Sequence, residues 1–137
     1  MSNSQASSTG ARILFVDDER QLVAVTKRLL ERQGFRVTGF VDAALALAAL
    51  RADPSGFDLI VTDANMPAVS GVELAAQAHA LRAELPVLLT SGYVSDELEA
   101  QAAAVGIAGV VHKPSTLQAL LQAIREALAG AAARDAE

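Results

Sequence analysis

The chain has 137 residues, enough for one domain around one core. Apolar residues make up 52%, which argues against disorder, and a net charge of −5 with no basic stripe argues against nucleic-acid binding. There is no cysteine, which excludes disulfides and thiolate metal sites, and no apolar run approaches a membrane span.

Met1 to Gly10 is Ser-rich and polar with no apolar stretch. It reads as a disordered arm, assigned to residues 1–11, and not as a signal peptide, so a cytoplasmic location is expected. Arg12 to Val16 is a short strand that runs into Asp17-Asp18-Glu19. From Arg20 onward, Leu22, Val25, Leu29 and Leu30 recur at helical spacing, and Gly34 suits the helix end. Phe35 to Phe40 predicts a second strand. Asp42 or its neighbour then opens an Ala/Leu helix to about Ala52, which Asp53-Pro54-Ser55-Gly56 breaks.

Phe57 to Asp63 is apolar and β-branched, as in a strand buried on both faces, and it ends at the carboxylate of Asp63. Met66-Pro67 and Gly71 impose a loop before a third helix over Val72 to Ala83. Strand four is Val87 to Ser91, helix four Asp96 to Val105, and strand five Val110 to His112. Ser115 is the expected cap of a last helix to about Ala129, within a domain of residues 12–129, and residues 130–137 read as a frayed tail. Five strands alternating with five helices predict an α/β fold, a parallel sheet covered on both faces.

Polar residues interrupt these strands at their ends. Strand one ends in Asp17-Asp18, strand three in Asp63, strand four in Ser91 and strand five in Lys113. In a doubly wound sheet such ends share one edge. Each has an ordinary account: acids favour a helix N-terminus, serine a turn, lysine a solvated loop. Together they predict a site. Three converging carboxylates repel one another, and a divalent cation and an ammonium relieve this. Oxygen ligands alone suit Mg²⁺, and Lys113 supplies the ammonium. A carboxylate in that setting can attack phosphorus to form an acyl phosphate. The two histidines fit duller roles, His79 as a surface side chain of helix three and His112 as a packing or edge residue.

Asp17-Asp18, Asp63-x-x-Met66-Pro67-x-x-x-Gly71, Ser91-Gly92 and Lys113-Pro114, in this order, resemble the receiver domain of two-component response regulators, of the chemotaxis-regulator kind. The resemblance spans about Arg12 to Ala129. It implies a five-stranded parallel sheet of order 2-1-3-4-5. It implies that Asp63 accepts a phosphoryl group from a phosphohistidine on a sensor histidine kinase or phosphotransfer protein. Mg²⁺ would be held by Asp17, Asp18, Asp63 and the main-chain carbonyl of Asn65. Ser91 and Lys113 would contact the phosphoryl group and report it to a face made of helix four, strand five and helix five, where a downstream protein docks. A cis bond between Lys113 and Pro114 is also implied.

Two positions depart from the family's habit. Val110 stands where an aromatic switch residue is common, and Ser115 where Lys-Pro is often followed by Phe. Tyr93 is therefore expected to carry the aromatic part of the switch. The resulting expectation is a single-domain response regulator acting through protein contacts, with no effector domain after the last helix, no nucleic acid and no membrane. A receiver module of a hybrid histidine kinase is the alternative. An aspartyl phosphatase would need an acid where Asn65 stands, and a flavin module would not place Asp17-Asp18-Glu19 at a phosphate loop.

Overall fold

Five short strands alternate with five helices: β1 (Arg12–Val16), α1 (Arg20–Arg32), β2 (Arg36–Phe40), α2 (Ala43–Ala52), β3 (Leu59–Asp63), α3 (Gly71–Leu81), β4 (Val87–Ser91), α4 (Asp96–Ala104), β5 (Gly109–His112) and α5 (Leu117–Ala136). The computed structural model describes residues 10 to 113 and 115 to 136. The predicted arm, up to residue 9, and the bond at Pro114 lie outside them.

The strands form one sheet of order β2-β1-β3-β4-β5, and every neighbouring pair is parallel. Side chains alternate across a strand, so each strand feeds two cores. Ile13, Phe15, Leu59, Val61 and Leu88 face one side, where Val23 and Leu30 of α1 and Leu121 and Ile124 of α5 cover them. Leu14, Val16, Ile60 and Val87 face the other, under Ala46, Leu47 and Leu50 of α2 and Leu74, Ala75 and Ala78 of α3. The small alanines let those two helices lie close to the sheet and to each other. α4 is thinly attached, with Ala102 its one buried residue.

Local signals explain most boundaries. Gly34 has φ +98°, which fits the turn that ends α1. Asp42 accepts from the Ala44 N–H at 2.7 Å and caps α2. Ser70 and Glu73 form a reciprocal capping box at α3.

Three expectations need correction. The cap of α5 is Thr116, whose Oγ1 accepts from the Ala119 N–H at 3.0 Å. Adjacent hydroxyls offer the same chemistry, and the helix starts one residue later than Ser115 requires. α5 also continues to Ala136 rather than ending near Ala129. Gly130 costs a helix about 1 kcal/mol, which the flanking alanines tolerate. α3 ends at Leu81, two residues before the expected Ala83.

Candidate functional site

The parallel order brings the carboxyl ends of β1, β3, β4 and β5 to one edge. β1 delivers Asp17, which is fully buried, and the exposed Asp18 follows it. β3 delivers Asp63, which is 7% exposed. Each of these three carboxylates offers an oxygen, and the three oxygens lie within 4.8 Å of one another. Lys113, just past β5, places its Nζ 2.9 Å from Asp17 Oδ2 and 3.5 Å from Asp63 Oδ2. The expected acids and the lysine therefore meet.

Backbone donors fix the carboxylates. Asp17 Oδ1 accepts from the Glu19 N–H at 2.9 Å, and Asp63 Oδ1 accepts from the Asn65 N–H at 3.2 Å. Gly71 sets the distance from α3 to this edge. A Cβ there would collide with the carbonyl oxygen of Asp63, so only glycine lets the helix start so close. Between them Ala68 takes φ +70°, and the Val69 N–H reaches back to the Pro67 carbonyl at 2.8 Å. This tight reversal is strained for alanine, on the order of 1–3 kcal/mol, and lies in the loop that follows Asp63.

The charges are unequal in their comfort. Burial raises the pKa of Asp63, and the charge of Asp17 adds to this, while the Asn65 N–H and Lys113 oppose it. Burial works against the Lys113 ammonium, but the bond to Asp17 and the charges of Asp17 and Asp63 outweigh it and raise its pKa. The result is an ammonium held firmly by one carboxylate beside a second, more reluctant one.

Ser91 ends β4 at the same edge and is fully buried, and its hydroxyl is engaged within its own turn. Its Oγ donates to the Tyr93 carbonyl at 2.8 Å and accepts from the Tyr93 N–H at 3.2 Å, a local turn bond. Tyr93 itself is 78% exposed, and Val110 is partly buried against Ala64, Leu89 and Ala102.

His79 is not the surface residue expected. It is half-buried, with Nδ1 2.9 Å from the Val105 carbonyl and Nε2 2.9 Å from the Leu85 carbonyl. The signal was present: Gly71, Leu74, Ala75 and Ala78 make the buried stripe of α3, and His79 continues it. His112 is exposed on edge strand β5, as read, and its Nε2 lies 3.0 Å from the Gly92 carbonyl. Thr62 was not singled out, yet its buried hydroxyl donates to the Asp63 carbonyl at 3.2 Å.

The family profile described as the response regulator receiver domain matches residues 13–125. The chain belongs to this family. The receiver is 36% identical over 118 residues to the chemotaxis protein CheY of Pseudomonas aeruginosa, covering 84% of this chain and 94% of that protein. It is 32% identical over 120 residues to the response regulator receiver protein CpdR of Brucella abortus, covering 88% and 98%. It is also 32% identical to the C4-dicarboxylate transport regulator DctD of Rhizobium meliloti, but spans only 26% of that protein's length. Among solved structures, a CheY-like receiver domain protein from Methanospirillum hungatei superposes with a TM-score of 0.85 at 30% identity, covering 92% of this chain and 99% of that one. The sheet order and five helices match the flavodoxin-like receiver fold. Receiver domains are signalling domains that interact with histidine kinases or phosphotransfer proteins. Asp17, Asp18 and Asp63 form a group able to hold a metal ion, and no helix among the described residues is long and apolar enough to cross a membrane.

Proposed function

We propose that the receiver cycles between Asp63 and its aspartyl phosphate, taking the phosphoryl group from a phosphohistidine on a sensor histidine kinase or phosphotransfer protein. The observation that carries this is the convergence of Asp17, Asp18 and Asp63 with the Lys113 ammonium at the carboxyl edge of the sheet. An Asp63 carboxylate oxygen attacks phosphorus as the P–N bond to the donor imidazole breaks, and that nitrogen keeps the electron pair. Water later attacks the same phosphorus and breaks the P–O bond to Asp63, which returns the carboxylate and releases inorganic phosphate.

The donor set fits Mg²⁺: three carboxylates, no sulfur and no converging imidazole. Asp17, Asp18, Asp63 and the main-chain carbonyl of Asn65 would hold it. Bound there, the metal would neutralise charge building on the transferring oxygens. Asp63 supplies the nucleophile. Lys113, already 3.5 Å from Asp63, supplies a second positive charge to the incoming group. Ser91 would give up its bond to Tyr93 to meet a phosphoryl oxygen and so draw in the β4–α4 loop. Asn65 has no acid proton to give, which favours a persistent acyl phosphate over a phosphatase cycle.

Output runs through protein contacts at the α4-β5-α5 face in a cytoplasmic setting. The same chemistry would serve a receiver module of a hybrid histidine kinase. Intact mass of the chain treated with a small phosphodonor and Mg²⁺ tests the reading. One acid-labile phosphoryl group is expected on the wild type and none after chelation or in Asp63→Asn. Equal labelling of Asp63→Asn would falsify it.

A further inference from the structure

Strand β5 holds the loop after β4 by two bonds of different kinds. One is main-chain, from the Lys113 N–H to the Ser91 carbonyl at 2.7 Å. The other is a side-chain bond, between His112 Nε2 and the Gly92 carbonyl at 3.0 Å. The carbonyl can only accept, so Nε2 carries the proton. His112 and Ser91 are register partners across the β4–β5 pair, which puts the ring beside the loop that leaves Ser91.

The Gly92 carbonyl and the Tyr93 N–H belong to one planar peptide unit. His112 holds its oxygen, and Ser91 Oγ holds its N–H at 3.2 Å. We propose that His112 is a positioning residue for the phosphoryl switch: it fixes the Gly92–Tyr93 peptide plane from β5 while the Ser91 hydroxyl leaves it. This rests on the phospho-acceptor reading above. When Ser91 Oγ turns to a phosphoryl oxygen, the Tyr93 N–H loses its partner. The plane then keeps only the imidazole bond, and the loop reorganises about that point. Val110 is a small, χ1-restricted side chain packed with Ala64, Leu89 and Ala102, so β5 has no ring there to follow the loop. His112, two residues on, is the side chain of β5 that touches the loop directly. The exposed Tyr93 side chain follows directly on this peptide, so its orientation depends on the same anchor.

The full chain tests this with two variants at an exposed strand position. His112→Val removes the donor, and His112→Gln keeps a nitrogen donor at similar reach. In the unphosphorylated protein, NMR exchange of the Tyr93 amide should be about fivefold faster in His112→Val and within about twofold of wild type in His112→Gln, the scale set by one hydrogen bond. After labelling with a small phosphodonor and Mg²⁺, stoichiometry at Asp63 should be equal in all three. The phosphoryl lifetime should differ about fivefold in His112→Val and return towards wild type in His112→Gln. Equal exchange and equal lifetime in His112→Val, or failure of His112→Gln to restore them, overturns the proposal alone. A wild type that takes no phosphoryl group overturns the phospho-acceptor reading and this role with it.

Discussion

Lys113 and Asp17 are 96 positions apart in the chain, and their side chains meet at 2.9 Å. The carboxylate is fully buried and the lysine side chain partly so. Asp63 lies farther from the same ammonium, at 3.5 Å. Without a phosphoryl group the lysine is thus chiefly the partner of Asp17. A phosphoryl group on Asp63 would compete for it. Lys113→Met should leave Asp17 with its Glu19 N–H bond but no counter-charge. A loss of about 2–3 kcal/mol is expected in urea titrations without divalent ions. Much of it should return in saturating Mg²⁺, since a cation bound only by the folded state stabilises it. Equal loss with and without Mg²⁺ would refute the idea that the two cations share the load.

Asp63 gives a pH-dependent prediction. Burial first, and the charge of Asp17 with it, raise its pKa in the fold. The folded chain therefore takes up a proton there at higher pH than the unfolded chain, which titrates near about 3.9. Between those points stability falls as pH rises, and at neutral pH the ionised Asp63 is a full net cost. Asp63→Asn should then be the more stable protein at about pH 7, with the higher Tm. The gain should shrink as pH falls into the carboxylate range. Melting curves in chelator from about pH 8 to about pH 4 check this, and a gain that grows on acidification contradicts it.

The two acids after Asp17 should differ in Mg²⁺ binding. Asp18 offers an oxygen to the acidic group, whereas Glu19 lines the cavity between α1 and α5 with Leu22, Val25 and Leu120. Asp18→Ala should weaken Mg²⁺ about tenfold or more by titration calorimetry, and Glu19→Ala about twofold or less. The reverse order would mean that the end of β1 is turned by one residue.

The strand ends were legible because apolar runs such as Leu59-Ile60-Val61 stop at a charge, and a parallel sheet then gathers those stops. Asp42 and Gly34 were legible because capping needs only local chemistry. The orientation of Ser91 was not. Its hydroxyl bonds to a neighbour two residues away, and either rotamer suits the same sequence. The contact of His112 depends on the β4–β5 register, which no local pattern sets. The choice of Asp17 over Asp63 by Lys113 depends on loop geometry of a few tenths of an ångström. His79 was misread because a polar residue on the edge of a helical stripe was given to solvent, although a ring with two polar atoms can be buried wherever carbonyls wait for it.

That misreading yields the last prediction. α4 has Ala102 as its one buried residue, so little apolar burial holds it to the sheet. Its C-terminal turn ends at Val105, and the Val105 carbonyl sits 2.9 Å from His79 Nδ1. On its other side the ring reaches the Leu85 carbonyl, just before β4. The imidazole therefore lies between the end of α4 and the entry of β4, and its N–H ties α3 to one of them. A neutral ring has one N–H and serves one carbonyl at a time, so the tie is sensitive to what surrounds it. His79→Leu roughly keeps the volume and raises helix propensity, yet leaves both carbonyls without this partner. It should cost about 1–3 kcal/mol in denaturant midpoint analysis. Hydrogen exchange should quicken at Gly106 and Ile107, whose N–H groups close the turn onto Ala103 and Ala102, before it quickens in β3. If His79→Leu unfolds at the wild-type midpoint and Gly106 and Ile107 exchange unchanged, α4 is held by its own packing and the ring is a passenger.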